Sequence, residues 1–345
     1  MRELAEPLGG LWQGTIRREE LITQALTARF LFHRDEHYLV QDGKIVIIDE
    51  YTGRLMPDRS WSRGIHQLIE AKEGCELTVP REPLARISYQ RFFRRYLHTA
   101  GMTGTANEVS RELWSVYKLR VVRVPTHKPA LRKTIQDKVY ATEQEKWQAL
   151  VDRVKQISGT GRPVLIGTRT LAASESLSER LNDAGISHRV LNARQDAEEA
   201  SIIAGAGERG RITIATNMAG RGTDIVLGDG VNERGGLHVI LTERHEARRI
   251  DRQLIGRCAR QGDQGSSEAI LSWQDALLEV QQHSVLAGLV GHAWLLNFFV
   301  GQWLARMVLR SAQRKVERAH YKMRMELLKA DRQLGDLLSF SGQIE

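Results

Sequence analysis

The alternation of apolar and polar residues changes character near Val139. Beyond it, short apolar runs alternate with amphipathic stretches. The apolar runs predict five strands, at 164–168, 189–191, 212–215, 238–242 and 269–272. The stretches between them predict four helices, at 143–158, 172–184, 196–204 and 247–257. This alternation is typical of a parallel sheet covered on both faces, so we predict an α/β fold with ligand loops at the carboxyl ends of the strands.

Local signals add a helix, a hairpin and a helix cap to this outline. Residues 18–32 carry apolar side chains at helical spacing. Asp42-Gly43 lies between two β-rich runs and predicts a hairpin, because both turn positions need positive φ. Thr142 and Glu145 predict a capping box at the start of a helix.

Strand signals stop after about Trp273, and residues 303–338 predict one long helix. Its predicted apolar face consists of Leu304, Val308, Ala312, Val316, Ala319, Met323, Leu327 and Leu334. The other faces are rich in arginine and lysine, which fits a solvated face or a surface for lipid or a partner. Just before this helix, residues 280–305 carry no charged side chain, and polar residues within that run favour a buried connecting helix over a membrane span.

Composition narrows the class of protein. The 345 residues are 41% apolar and 27% charged, as in ordinary globular proteins. The net charge of +8 fits an anionic partner such as nucleic acid, acidic lipid or nucleotide phosphate, and it equally fits an ordinary basic protein. Cys75 and Cys258 are far apart and in no metal-ligand spacing, so we expect two free thiols in a reducing compartment. The first twenty residues do not resemble a secretory signal.

The segment ATNMAGRGTDI, residues 215–225, directly follows a predicted strand. Small residues around Arg221 let the backbone approach a ligand, and Asp224 could accept a hydrogen bond from a ribose hydroxyl. A nucleotide loop and a simple strand-to-helix turn both fit this spacing.

Arg257 and Arg260 follow thirty residues later in RRIDRQLIGRCARQGD. Placed three apart on a helix end, their guanidinium groups would point to one side. Two such groups suit a phosphate in transfer, where an arginine from a neighbouring domain accelerates the reaction. The alternative is a salt-bridged helix, in which Asp251 is surrounded by Arg248, Arg249 and Arg252.

Together these two segments closely resemble the second nucleotide-binding domain of the SecA family. The likeness extends through VIIDEYTGRLMPDRSWSRGIHQLIEAKEG, TAGMTGTANE, VLIGTRTLAASESLSERL and AQRKVERAHYKMRMELL, and so covers essentially residues 20–340. That family is a bacterial preprotein-translocation ATPase with a RecA-like core of the superfamily 2 helicase type. The resemblance therefore implies a RecA-like parallel-sheet domain, with a partial α/β domain before it and a long-helix tail after it.

The resemblance also implies a division into four parts. Residues 1–37 would be a helical remnant of the preprotein-crosslinking region, and 38–125 the C-terminal part of the first nucleotide-binding domain. Residues 126–280 would form the second, RecA-like nucleotide-binding domain, and 281–345 the start of the helical scaffold.

Roles for individual residues follow from the same resemblance. Asp224, with Gly222 and Arg221, would contact the sugar side of the nucleotide. Arg257 and Arg260 would be arginine fingers that reach the γ-phosphate across an interdomain cleft.

Thr103, Gly104 and Thr105 match the helicase motif that couples nucleotide state to domain movement. The sequence departs from the family near the fingers, where QLIGRCARQGD replaces QLRGRAGRQGD. Ile255 takes the place of an arginine and Ala259 that of a glycine, which puts the positioning of the fingers in doubt more than their role.

The phosphate-binding motif G-x-x-x-x-G-K-[ST] does not occur in the sequence. We therefore expect ATP and Mg²⁺ to be held largely by an N-terminal half that this chain lacks, and the chain alone to hydrolyse ATP poorly or not at all. Asp49-Glu50 ends an apolar strand and mimics a Mg²⁺-binding acidic pair, but its place in the resemblance favours a structural role. No residues have the spacing of a metal site.

The implied partners are a SecYEG-type translocon, preprotein, an acidic phospholipid surface, and either a separate N-terminal SecA half or a second copy. The implied location is cytoplasmic and peripheral on the inner membrane. A non-catalytic regulatory module that binds the translocon or a full-length SecA homologue is the alternative. A nucleic-acid helicase fragment is a third reading, which the lack of interleaved aromatic residues disfavours, so no nucleic acid is expected.

Overall fold

The computed structural model describes residues 14–49, 55–79, 87–191, 199–216, 223–279 and 298–339. The helices are α1 (Thr15–Phe30), α2 (Ile65–Glu73), α3 (Tyr89–Phe93), α4 (Ser110–Tyr117), α5 (Glu143–Gly159), α6 (Leu171–Asp183), α7 (Glu199–Ala204), α8 (Arg248–Ile255), α9 (Ala276–Glu279) and α10 (Phe298–Ser339). The strands are β1 (Tyr38–Gln41), β2 (Lys44–Ile48), β3 (Leu55–Met56), β4 (Leu131–Thr134), β5 (Lys138–Tyr140), β6 (Val164–Thr168), β7 (Arg189–Leu191), β8 (Ile212–Thr216), β9 (Leu237–Leu241) and β10 (Gln264–Ser272).

Seven of these strands form one sheet in the order β4-β10-β9-β6-β8-β7, with β5 also paired to β10. The pairings within it are parallel, which confirms the predicted α/β fold. Alternate strand residues enter two cores. Val164 and Ile166 pack in a cluster with residues of α5 and α6. Leu165 belongs to a second cluster, on the opposite face, with residues of α7, α8 and α10.

All five predicted strands are present within one or two residues, except that β10 begins at Gln264 rather than Ala269. Its first residues, Gln-Gly-Ser-Ser-Glu, carry no apolar signal although Ser267 and Glu268 are buried. β4 and β5 were not predicted, because each is short and β4 is polar, and their pairing with β10 decides their conformation.

The small sheet confirms the predicted hairpin. β1 pairs antiparallel with β2, and β2 with β3. Asp42 and Gly43 have φ values of 51° and 72°, as a two-residue turn of this kind requires. The predicted capping box is present as well, since Thr142 and Glu145 make both of its hydrogen bonds.

The long helix α10 begins at Phe298, five residues before its predicted start, and its predicted apolar face is right only in the first half. Val308 and Ala312 are buried against the large sheet. Met323 and Leu327 are 60% and 48% exposed, so that part of the prediction was wrong.

The reason is a change of partner along α10. In its second half the helix contacts α3 and α4 through polar groups, with Arg324 donating two hydrogen bonds to the Glu112 carboxylate and Ser88 hydrogen-bonded to Asp331. In the first half, the Gln302 side chain pairs with both backbone groups of Val139 on β5. Helix α10 thereby supplies the hydrogen-bond partner that the outer side of β5 would otherwise lack.

No helix in the part of the chain that the structure describes is long and apolar enough to cross a bilayer. Most of the uncharged run, residues 280–297, lies outside the described residues.

A buried ion pair fixes α5 to the carboxyl end of β10. The Lys146 ammonium lies 2.7 Å from the Asp275 carboxylate, and both side chains are almost fully buried. Asp275 also accepts a hydrogen bond from the Ser272 backbone. Burial raises the pKa of Asp275 to about 6, and the nearby Lys146 only partly opposes it.

This shift predicts a pH-dependent stability. A carboxyl whose pKa is higher in the folded state stabilises the fold below the unfolded value of 3.8 and loses that contribution as pH rises through about 6. We expect the free energy of unfolding of the wild type, minus that of Asp275→Asn, to fall by roughly 1–3 kcal/mol between pH 4 and pH 7. Urea titrations across that range measure it, and a constant difference would contradict the assignment.

Candidate functional site

Helix α8 carries the segment that bears the two predicted finger arginines. It is strongly amphipathic, with Ile250 and Leu254 buried against the large sheet. Gly167 in β6 permits this close approach, because a Cβ there would stand 2.0 Å from a methyl group of Leu254. Helix α8 therefore lies directly on the strands, and its end is fixed relative to the sheet.

Arg257 and Arg260 lie beyond the helix, in residues 256–263, here called the finger segment. Helix α8 ends at Ile255, and Ala259 and Gln261 have positive φ values of 56° and 53°. The prediction that the two arginines share a helix end was therefore wrong. An irregular turn, rather than helical spacing, sets their directions.

Both arginines nevertheless line one open cavity of about 500 Å³. The predicted residues that line it are Thr103, Gly104, Thr105, Asp224, Arg257 and Arg260. Arg221 and Gly222 lie outside the described residues. Segments more than 150 positions apart in the sequence thus meet at one place in the fold.

The cavity lies beside the amino ends of β4 and β10, and not at the carboxyl ends as the parallel-sheet rule predicts. The finger segment runs directly into β10, and Arg132, which also lines the cavity, is the second residue of β4. The reason is that α8 starts after the carboxyl end of β9 and runs back across the sheet. The C-terminal end of α8 therefore lies near the amino ends of the strands, where the finger segment begins.

Intrachain contacts hold the cavity side chains in place. Arg260 donates from Nη1 to Oδ1 of Asp224 at 2.7 Å and from Nε to the Gly256 carbonyl at 2.8 Å. Arg257 donates from Nη1 to the Thr223 carbonyl at 2.9 Å. The finger segment is thus tied to residues 223–224, which belong to the first predicted nucleotide motif.

A third arginine, Arg132 of β4, also holds the finger segment. Arg132 donates to the Cys258 carbonyl at 2.9 Å, and the backbone of β10 approaches so closely that a Cβ on Gly265 would stand 2.7 Å from the Ala259 nitrogen. Burial raises the pKa of the Cys258 thiol, so this cysteine is an inert packing residue. Sequence reasoning missed Arg132, because its strand gave no signal.

The predicted coupling residues reach α8 through one ion pair. Thr103 and Thr105 hydroxyls are 3.2 Å apart, and Glu108 lies in the helical turn that follows them. The Glu108 carboxylate accepts from Arg252 of α8 at 2.7 Å. Thr103–Thr105, here called the coupling loop, is therefore joined to the helix that carries the fingers.

The salt-bridged-helix alternative holds only in part. Arg248 pairs with Glu317 and Arg252 with Glu108, so two of the helix arginines are indeed ion-paired. Neither is paired with Asp251, whose partners lie elsewhere.

Asp251 is the centre of a buried polar cluster. Its carboxylate accepts from the backbone nitrogen of His245 at 3.0 Å and contacts the ring Nδ1 at 2.6 Å. Gln313 of α10 donates to it at 2.9 Å, and Arg244 at 3.3 Å. Burial would raise the pKa of Asp251, but the hydrogen bond with His245 and the charge of Arg244 outweigh it and hold that pKa below its ordinary value. Helix α8 is thereby joined to α10.

No group of three or more metal-ligating side chains lies close together among the described residues. Of the acidic pair that mimics a Mg²⁺ site, Asp49 is described and Glu50 is not.

Comparisons with known proteins give the family. The SecA P-loop domain model matches residues 129–232 and 228–294, and the SecA preprotein cross-linking domain model matches residues 10–70. The chain is 52% identical to protein translocase subunit SecA 3 of Magnetococcus marinus over 348 residues, which is 100% of this chain and 53% of that protein. It is 54% identical to protein translocase subunit SecA 2 of Bordetella avium over 343 residues, 99% of this chain and 52% of that protein. The chain belongs to the SecA family.

This SecA-family chain spans about half the length of the curated relatives it matches. Among solved structures it is similar to the Escherichia coli DEAD-box protein SrmB bound to regulator of ribonuclease activity A. That likeness has 21% identity and a TM-score of 0.35 over 44% of this chain and 83% of that one, which is too weak to carry an argument.

The two departures from the SecA pattern now have a structural meaning. Ile255 packs against the core cluster beneath α8, so an apolar contact stands where the pattern has an arginine. Ala259 occupies a left-handed conformation that glycine adopts freely and alanine does not. The finger turn of this SecA-family chain therefore carries backbone strain.

We expect Ala259→Gly to raise the free energy of unfolding by about 0.5 kcal/mol, because relief of the left-handed strain exceeds the greater entropy of an unfolded glycine. The control is Ala319→Gly in the exposed interior of α10, which should lower it by about 1 kcal/mol. Urea denaturation measures both. An equal loss in the two variants would contradict the strain.

Proposed function

We propose that this chain supplies the arginine-finger half of a protein-translocating ATPase, and that a partner segment supplies the phosphate-binding half. One observation carries the proposal. Two finger arginines, the Asp224 carboxylate and the coupling loop come from distant parts of the chain and line the same open cavity. A cavity lined by four arginines and one carboxylate matches a nucleotide, which presents phosphates and ribose hydroxyls.

Each residue would have a distinct task in that site. Arg257 and Arg260 would donate to the γ-phosphate oxygens and stabilise the charge that develops there during transfer. Asp224 would accept from the ribose. Mg²⁺, when bound with ATP, neutralises phosphate charge, and the chain without G-x-x-x-x-G-K-[ST] offers few groups to hold it. ATP and Mg²⁺ would therefore be bound largely by the other half.

The contacts of Arg260 and Asp224 describe the resting state of such a site. Their side chains are 36% and 48% exposed, and ion pairs at such exposure are worth only about 0–1 kcal/mol. A nucleotide could therefore exchange this pair for its own contacts at little cost. Arg260 would turn to phosphate as Asp224 turns to ribose.

An exposed aromatic surface is the docking site that we propose for the phosphate-binding half. Tyr89, Phe92, Phe93 and Tyr96 contact one another through stacked and edge-on rings, yet all four are at least 40% exposed. Such a patch is typical of an interface. Tyr96 precedes the coupling loop by seven residues in the chain.

Further parts of the proposal rest on family membership. We propose the four-part division given above, with 38–125 as the end of the first nucleotide domain and 126–280 as the second. The partners would be preprotein, a SecYEG-type translocon and an acidic phospholipid surface, with action in the cytoplasm at the inner membrane. A separate N-terminal SecA half would complete the motor, and a second copy of the chain is a further partner.

The test is ATP hydrolysis by the chain alone and mixed with a separately expressed N-terminal SecA half. We expect no activity alone and activity on mixing. Arg257→Ala or Arg260→Ala should then lower kcat by roughly 10³-fold or more, as for other arginine fingers. The matched control is Arg189→Ala on the exposed edge strand β7, which should leave kcat unchanged.

Hydrolysis by the chain alone would overturn the composite site. In a different outcome, the two halves bind each other, as shown by sedimentation, and still hydrolyse no ATP. That result would instead favour a non-catalytic regulatory module.

A further inference from the structure

A second concave surface lies between α8 and the first half of α10. It has a volume of about 360 Å³ and is lined by arginines of both helices. Arg248 and Arg252 stand one turn apart on α8. Those on α10 follow at successive turns and are Arg306, Arg310 and Arg314. This surface is here called the arginine groove. Arg252 also lines the nucleotide cavity, so the two sites share a wall.

The acidic residues of the groove are already engaged. Asp251 and Asp137 both pair with Arg244, which also lines the groove. Glu108 pairs with Arg252, and Glu317 at its margin pairs with Arg248. Six arginines therefore face three lining carboxylates, and the groove carries a net positive charge.

The surplus is concentrated on α10. Arg306 donates to the Asp137 carbonyl. Arg310 and Arg314 are exposed and have no hydrogen-bond or ion-pair partner within the described ranges. Like charges four residues apart on a helix repel each other, and an anion bound between them would relieve that repulsion. The guanidinium groups of Arg310 and Arg314 thus offer bidentate donors to the concavity that nothing in the described fold accepts.

We propose that the arginine groove binds a phosphate-bearing anion with at least two phosphate groups, held between Arg310 and Arg314 of α10 and Arg252 of α8. Arginine suits this ligand because its planar fork matches phosphate oxygens. The ligand would pull Arg252 away from Glu108 and join α8 to α10. The site is distinct from the nucleotide cavity and does not depend on the proposed ATPase.

The test is calorimetric titration of the full chain with sodium pyrophosphate at low and at physiological salt. Binding should weaken with salt, as expected for exposed charges. Arg310→Gln with Arg314→Gln should reduce affinity about tenfold or more, because hydrogen bonds between charged groups are commonly worth that much. Lys315→Gln with Lys329→Gln removes the same charge from α10 outside the groove and should leave affinity within about twofold.

A second pair of variants separates the groove from the nucleotide cavity. Arg257→Gln with Arg260→Gln should retain the groove's pyrophosphate binding. Loss of binding in that variant with retention in Arg310→Gln/Arg314→Gln would place the anion in the nucleotide cavity and overturn the proposal. Equal losses of affinity in the groove variant and the lysine control would also overturn the proposal. So would a wild type that binds neither pyrophosphate nor acidic lipid vesicles.

Flotation with vesicles identifies the source of the phosphate. Binding to vesicles that contain cardiolipin, whose headgroup carries two phosphates, but not to phosphatidylcholine vesicles, would support the groove with a lipid headgroup as its ligand, provided that Arg310→Gln/Arg314→Gln abolishes it. Pyrophosphate binding without vesicle binding would support it with a free phosphorylated solute.

Discussion

The carboxylate of Asp251 is the group on which the candidate site depends. It is 2% exposed and accepts hydrogen bonds from the His245 backbone and the side chains of Arg244 and Gln313. A buried charge without such partners costs several kcal/mol, so the position of Asp251 fixes where these groups must stand. Because Asp251 lies in α8, the cluster fixes α8 against both the end of β9 and the long helix α10. The finger segment begins five residues further on.

This arrangement holds the start of the finger segment more firmly than the side chains it carries. Helix α8 packs on the sheet through Leu254 and is bonded to Gln313, whereas the contacts of Arg260 among the described residues are the exposed carboxylate of Asp224 and one carbonyl. A fixed base with weakly held side chains would suit the proposed role, in which these groups change partners when a nucleotide binds. Helix α10 contacts α8 and also α3 and α4, so a shift of α8 would be transmitted along α10 to those helices.

Much of the fold could be predicted from the sequence, because its strands are short apolar runs between amphipathic helices. The elements that escaped prediction are those decided by tertiary contact. β4 is polar and exists through its pairing with β10, and the second half of α10 buries Leu328 but exposes Met323 and Leu327, which a helical repeat alone does not reveal. For the site, sequence motifs indicated which residues to group but not how they meet. The left-handed Ala259, the supporting Arg132 and the Glu108–Arg252 pair depend on backbone turns and long-range contacts that no local pattern encodes.

Hydrogen exchange in Gln313→Leu tests whether the Asp251 cluster holds the finger segment in place. Leucine keeps the volume of Gln313 but removes its hydrogen bonds to Asp251 and to the His245 carbonyl. We expect faster exchange of the backbone amides in residues 248–263, with protection of β6 and β9 unchanged. Unchanged exchange in α8 and the finger segment would contradict it, because the fingers would then be positioned without the cluster.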